Sequence, residues 1–106
     1  MTDRISILHP QGRLDGATGP AFDNDVAQLI AGGADKVLLD LAELQYISSA
    51  GLRAVLLAAK RLKSVGGQLV LCSLNDQVRE IFEVSGFTRF LDISPSQDEA
   101  MSRMAT

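Results

Sequence analysis

The sequence predicts an α/β domain in which a mixed β-sheet is covered by about four helices. Short apolar runs of strand length, such as Val37-Leu38-Leu39, alternate with longer segments whose apolar residues recur at helical spacing. Three of the longer segments end at glycine, namely at Gly32-Gly33, Gly66-Gly67 and Gly86. The predicted order of elements is therefore ββαβαβαβα, and the helical crossovers favour parallel neighbouring strands.

The first part of the chain predicts a hairpin followed by a helix. Ile5–Leu8 and Gly12–Asp15 are short strand-like segments joined by a turn that contains Pro10. Gly19-Pro20 then opens a helical pattern, because proline suits the first turn of a helix. The apolar stripe of this helix consists of Phe22, Val26, Leu29 and Ile30.

Two strands and a long helix form the predicted centre of the domain. Lys36–Leu41 is apolar without strict alternation, which is typical of a strand buried on both faces. A helix from Ser49 to Gly66 follows and leads into the strand Gln68–Cys72. The apolar stripe of the helix consists of Leu52, Val55, Leu56, Ala59 and Leu62.

The last part of the chain predicts two more helices and one strand. Asn75 is a good N-cap for a third helix that ends at Gly86. Phe90–Ile93 is the predicted last strand, and a short final helix covers Ser96–Met104, capped by Ser94 or Ser96. The 106 residues are predicted to form one domain, 1–106, which is large enough to bury a core without metal or disulfide.

Composition excludes several classes of function. The net charge of -3 and the aromatic content of 5% argue against direct binding of nucleic acid. Cys72 is the only cysteine and His9 the only histidine, so neither a disulfide nor the usual Cys/His zinc site can form within the chain. The start of the chain lacks a signal-peptide pattern, and no apolar stretch approaches the roughly 20 residues of a membrane span. We expect a cytoplasmic protein without membrane insertion.

Ser48 and Ser49 lie between a predicted strand and a helix, which is where a hydrolase carries its nucleophile. The nucleophile elbow needs Gly-x-Ser-x-Gly, whereas Tyr46-Ile47-Ser48-Ser49-Ala50-Gly51 lacks the first glycine. His9 is the only histidine that could serve as the base, and nothing in the spacing brings it to the serines. The sequence therefore predicts that the protein is not an enzyme.

Ser48 and Ser49 leave two interpretations open. One serine can act as a helix N-cap, which contributes about 0.5–2 kcal/mol. A phosphate at the same place would meet free backbone N–H groups and the positive end of the helix dipole. Gly51 is likewise ambiguous, because a missing side chain permits either the approach of another protein or tight packing against the sheet.

The chain resembles the STAS domains of the bacterial anti-sigma-factor antagonist class. The resemblance covers nearly the whole chain, and its specificity lies in the order and spacing of several segments. These are Gly12-Arg13-Leu14-Asp15 with Thr18, Val37-Leu38-Leu39-Asp40-Leu41, Ile47-Ser48-Ser49-Ala50-Gly51-Leu52, Gly66-Gly67-Gln68-Leu69-Val70 and Phe82-Glu83-Val84-Ser85-Gly86-Phe87. The resemblance implies the STAS fold, with helices packed mainly on one side of a mixed sheet, and no cofactor.

The resemblance also implies signal transduction by partner switching, and thereby regulation of transcription. An anti-sigma factor that is an ATP-binding serine kinase binds the unmodified antagonist, phosphorylates it at the start of the second helix and releases it. A PP2C-like phosphatase removes the phosphate. By position the phosphoacceptor is Ser49. Ser48 stands where many members have aspartate, and it is the second choice because it offers a competing hydroxyl.

The implied partner-binding residues surround this serine. They are Asp15, Thr18, Ser48, Ser49, Gly51 and Arg53. Asp15 also suits a plain turn before Gly16, and Arg53 a solvated charge on an exposed helix face, whereas Leu52 is predicted to be in the core. An alternative function keeps the fold without the switch, as a non-enzymatic STAS subunit of a phospholipid-transport complex of the ABC type.

Overall fold

The computed structural model describes residues 5–105 and contains a parallel β-sheet with helices on both faces. The strands are β1 (Ile5–Leu8), β2 (Gly12–Leu14), β3 (Lys36–Asp40), β4 (Leu44–Ile47), β5 (Gln68–Cys72) and β6 (Asp92–Ser94). The helices are α1 (Gly19–Ala31), α2 (Ser49–Ser64), α3 (Asp76–Ser85) and α4 (Gln97–Met104). A 3₁₀ turn, Phe87–Phe90, precedes β6. The order of the described elements is thus ββαββαβαβα, with one strand more than predicted.

The predicted N-terminal hairpin is wrong, because its two strands belong to different ladders. The main sheet has the order β1-β3-β5-β6, and β2 pairs with β4 in a separate two-stranded ladder. All four ladders among the described residues are parallel, so the predicted mixture of strand directions is not found there. Strand β1 pairs with β3, so the turn around Pro10 leads the chain away from β1 instead of back along it.

Strand β4 was missed because its pattern does not alternate. Leu44 and Ile47 are buried, whereas the two residues between them are exposed. Its ladder with β2 also contains a register shift between Gly12 and Arg13, which breaks the regular two-residue period. The last strand likewise begins two residues later than predicted, because the 3₁₀ turn takes up Phe90.

The central strands carry two cores, one on each face of the sheet. Val37 and Leu39 of β3 face the larger core, which includes residues of α1, α2 and α3. Leu38 faces the smaller core with Val70 and Cys72 of β5 and with the buried residues of α4. The prediction of helices mainly on one side is therefore confirmed, with three helices on one face and α4 on the other.

Candidate functional site

The ends of β2 and β4 and the start of α2 meet at one place. The backbone N–H of Ser48 donates to the carbonyl oxygen of Leu14 (3.0 Å), and Leu14 pairs with Ile47 in the β2–β4 ladder. The N–H of Leu52 donates to the carbonyl of Ser48 (2.8 Å). These bonds fix the first turn of α2 against the end of β2.

The two serines at this junction have different environments. Ser48 is the half-buried N-cap of α2, and its Oγ accepts from the N–H of Gly51 (3.2 Å). Ser49 is the first residue of the helix and is exposed. The cap is therefore Ser48, and the hydroxyl of Ser49 forms no hydrogen bond with another described residue.

Gly51 allows α2 to lie directly on the backbone of β2. A Cβ placed on Gly51 would lie 2.2 Å from the carbonyl oxygen of Leu14 and 2.8 Å from Cγ1 of Ile47. This space is filled by the protein itself, so tight packing against β2 accounts for the glycine, and its role as a partner contact stays a prediction. Leu52 is buried beside it, as predicted.

The loop after β2 lies next to the first turn of α2. A Cβ on Gly16 would be 3.9 Å from the Cβ of Ala50. Asp15 holds this loop: its Oδ1 accepts from the N–H groups of Ala17 (3.0 Å) and Thr18 (3.1 Å). The hydroxyl of Thr18 donates to the carbonyl of Arg13 (3.0 Å) and accepts from the N–H of Asp15 (2.9 Å). The structure therefore places Asp15 and Thr18 near the serines as the frame of a turn.

The hydrogen bond from the N–H of Thr18, followed by the Arg13 side chain, lowers the pKa of Asp15. A lowered folded-state pKa stabilises the fold above the ordinary aspartate value, and this contribution disappears as the pH falls below about 4 and through the folded-state pKa. We expect Asp15→Asn to be less stable than the wild type at neutral pH, with the difference shrinking in acid. Urea unfolding of both proteins at neutral pH and in acid measures the difference in their free energies of unfolding. A difference that does not change with pH would contradict the prediction.

Arg13 and Tyr46 extend the site along the β2–β4 ladder. Arg13 Nε lies 3.3 Å from Oδ2 of Asp15, and its guanidinium carbon lies 4.7 Å from the centre of the Tyr46 ring. Sequence reasoning did not select either residue, because only the pairing of Arg13 with Tyr46 across the two strands brings them together.

A groove of about 450 Å³ separates the start of α2 from α3. We call it the Ser49 groove; its lining includes Tyr46, Ser49, Glu80 and Val84. Tyr46 is 38% exposed and Val84 82% exposed, so apolar surface borders the serine. Glu80 is the charged residue of the described lining, which contains no lysine or arginine.

Arg53 lies on the same helix as Ser49, four residues later. Its side chain is exposed, and positions i and i+4 of a helix are neighbours on one face. The side chains of Ser49 and Arg53 therefore share one exposed face of α2.

Other groups considered in the sequence lie elsewhere. His9 Nδ1 is 3.8 Å from Oδ2 of Asp40, so the histidine faces a carboxylate rather than either serine. Cys72 is buried, as predicted, and burial raises the pKa of its thiol. Within residues 5–105 no three His, Cys, Asp or Glu residues cluster as metal ligands. No helix of this part of the chain is both long and apolar enough to cross a bilayer.

Comparison with known proteins identifies the family. The model of the STAS domain matches residues 1–100. The chain belongs to the STAS domain family. A protein of Bordetella bronchiseptica named as an anti-sigma factor antagonist, BtrV, is 44% identical over 104 residues, which cover 98% of this chain and 90% of that protein.

Solved STAS structures have the same fold. The crystal structure of an anti-sigma factor antagonist from Thermotoga maritima superposes with a TM-score of 0.90 at 25% identity, covering 100% of this chain and 91% of that one. The phosphorylated form of the Bacillus cell-fate determinant SpoIIAA gives a TM-score of 0.71 at 20% identity, covering 96% and 92%. Relatives that carry the antagonist name are regulatory binding proteins, and this STAS chain is not an enzyme.

Proposed function

We propose that this STAS protein is an anti-sigma-factor antagonist that works by partner switching and is phosphorylated on Ser49. The unmodified protein binds an anti-sigma factor that is an ATP-binding serine kinase. The kinase transfers the γ-phosphoryl group of ATP to Oγ of Ser49: the new O–P bond replaces the bond to the β–γ bridging oxygen, and ADP and the hydroxyl proton are released. The complex then separates. A PP2C-like phosphatase hydrolyses the phosphate ester and restores the binding form.

The difference between the two serines is the observation that carries the proposal. Ser48 Oγ is engaged in capping α2, whereas the hydroxyl of Ser49 is exposed and held on a rigid helix start. A kinase must reach the hydroxyl and align it with ATP, and Ser49 meets this requirement without unfolding of the helix. The name of the Bordetella relative supports an anti-sigma factor as the partner.

The surface around Ser49 has the character of a protein-binding site. Tyr46 and Val84 offer exposed apolar contacts beside the serine, and Arg53 offers a charge on the same face. Aromatic residues and arginine are enriched in protein interfaces. The Asp15–Thr18 loop borders the first turn of α2 and extends the surface on the side of β2.

Phosphate mapping tests the proposal with the protein isolated from its own cells under phosphatase inhibition. We expect one phosphate on the peptide that contains Ser49, absent from Ser49→Ala. Ser48→Asn is the matched control: asparagine caps a helix as serine does and has no hydroxyl, so the helix start and the phosphate on Ser49 should both be kept.

Two outcomes would count against the switch. A phosphate that maps to Ser48 would reassign the acceptor. An unmodified protein throughout growth and stress would favour the alternative of a constitutive subunit in a membrane transport complex, in which Ser49 only begins a helix.

A further inference from the structure

A second groove lies near the end of α2, opposite to the end that carries Ser49. It has a volume of about 750 Å³ and runs between the last turns of α2 and the segment that leads into β6. Its apolar lining consists of Leu56, Ala59, Leu69 and Leu91, and Phe90 stands beside them with 67% of its surface exposed. Lys60, Lys63 and Arg89 complete this surface, which we call the basic groove.

The cations of the basic groove have no counter-ions within the described part of the chain. Lys60, Lys63 and Arg89 are exposed, and none of them forms an ion pair with a residue in 5–105. Asp92 also lines the groove, but its carboxylate forms an ion pair with Arg103 of α4 and not with the three cations of the groove. A chain of net charge -3 therefore presents a local positive surface with an apolar centre.

We propose that the basic groove docks an acidic segment of a partner protein. An apolar side chain of the segment lies between α2 and Phe90, and its carboxylates pair with the three cations. Arg89 and Phe90 already stack, with the guanidinium carbon 5.9 Å from the ring centre. Exposed aromatic and arginine side chains of this kind are the usual anchors of protein interfaces.

The shape and electrostatics of the groove favour carboxylates of a protein over other anions. The last carbonyl groups of α2 lie beside Lys63 and disfavour a compact dianion such as phosphate, which prefers the start of a helix. A bilayer surface is flat and does not fill a concave groove, whereas a protruding side chain does.

The basic groove is separate from the phosphorylation surface. Ser49 and Lys63 are fourteen residues apart on one helix, a distance of roughly 20 Å along its axis. Docking in the basic groove is therefore expected to be the same with and without phosphate on Ser49, and it does not depend on the proposed function.

A defined peptide tests this docking site on the full-length protein labelled with ¹⁵N. The probe is a synthetic helical peptide in which two glutamates alternate with two leucines. The NMR chemical shifts of the protein's backbone amides are followed as the peptide is added. We expect the shifts to centre on α2 residues near Lys60 and on Arg89 and Phe90. The triple variant Lys60→Gln, Lys63→Gln, Arg89→Gln should weaken binding at least tenfold, and Phe90→Ala should weaken it about tenfold.

A variant of equal net charge serves as the control. Gln11→Glu, Gln28→Glu and Gln45→Glu are exposed positions outside the basic groove, and together they lower the net charge by three, as the Lys/Arg variant does. We expect this control to keep the affinity of the wild type. Equal weakening of both variants, shifts that centre elsewhere, or binding of phosphatidylglycerol vesicles in place of the peptide would each overturn the proposal.

Discussion

Gly51→Ala is expected to lose at least about 2 kcal/mol of folding stability, although alanine is the better helix former. The new Cβ would lie 2.2 Å from the carbonyl oxygen of Leu14, which belongs to the backbone of β2 and cannot rotate away. Overpacking costs typically about 1–3 kcal/mol, and a clash with backbone belongs at or above the upper end. The gain in helix propensity returns only about 1 kcal/mol.

Gly16→Ala is the matched control for this prediction. Its Cβ would meet only the Cβ of Ala50 at 3.9 Å, an ordinary contact, so the free energy of unfolding should change by less than about 0.5 kcal/mol. Urea unfolding of both variants measures the difference. If Gly51→Ala proved as stable as the wild type, α2 would not lie on β2 as described.

The loss of Gly51 should also disturb the site. The N–H of Gly51 donates to Ser48 Oγ, and the N–H of Ser48 donates to Leu14, so moving α2 away from β2 strains both bonds. Ser49 would then no longer be held at a fixed helix start. Gly51 is therefore expected to position Ser49 through the packing of α2 on β2.

The parts of the fold that were predicted correctly are those with local signals. Helix α3 begins and ends where the sequence indicated, because Asn75 Oδ1 accepts from the N–H of Val78 (2.8 Å) and Gly86 takes a left-handed conformation with φ of 79°. Ser96, one of the two proposed caps, likewise starts α4. Such signals lie within a few residues of the boundary that they set.

The pairing of strands depends on distant residues and was predicted less well. Nothing local in Gly12–Leu14 indicates that its partner is Leu44–Ile47 rather than the adjacent strand. The Ser49 groove also depends on residues that are distant in sequence. The side chain of Asn75 holds α3 beside β4, because its Nδ2 donates to the carbonyl of Leu44 (2.8 Å). The sequence therefore indicated the serines, but it could not indicate that Glu80 and Val84 would border them.

Ser49→Glu is expected to weaken binding to the proposed kinase-type anti-sigma factor at least about 100-fold, a loss near 2.7 kcal/mol. The added charge enters the Ser49 groove, where Glu80 already supplies a negative charge and the described lining contains no lysine or arginine. Arg53, one turn later on α2, is exposed and lies outside this lining. A buried charge without a partner costs several kcal/mol, which a modest interface does not offset. Phosphate carries about -1.5 to -2 charges, so the phosphorylated wild type should bind more weakly still.

Calorimetric titration of the proposed anti-sigma factor compares Ser49→Glu, Gln28→Glu and Ser49→Ala with the wild type. It distinguishes the effect of a charge at residue 49 from the effect of net charge. Gln28→Glu adds the same charge on an exposed position of α1 and should bind as the wild type does. Ser49→Ala keeps the surface neutral and should remain bound, because it cannot be phosphorylated. If Ser49→Glu bound as tightly as Ser49→Ala, the interface would have to exclude Ser49, and release by phosphorylation at this residue would lose its physical basis.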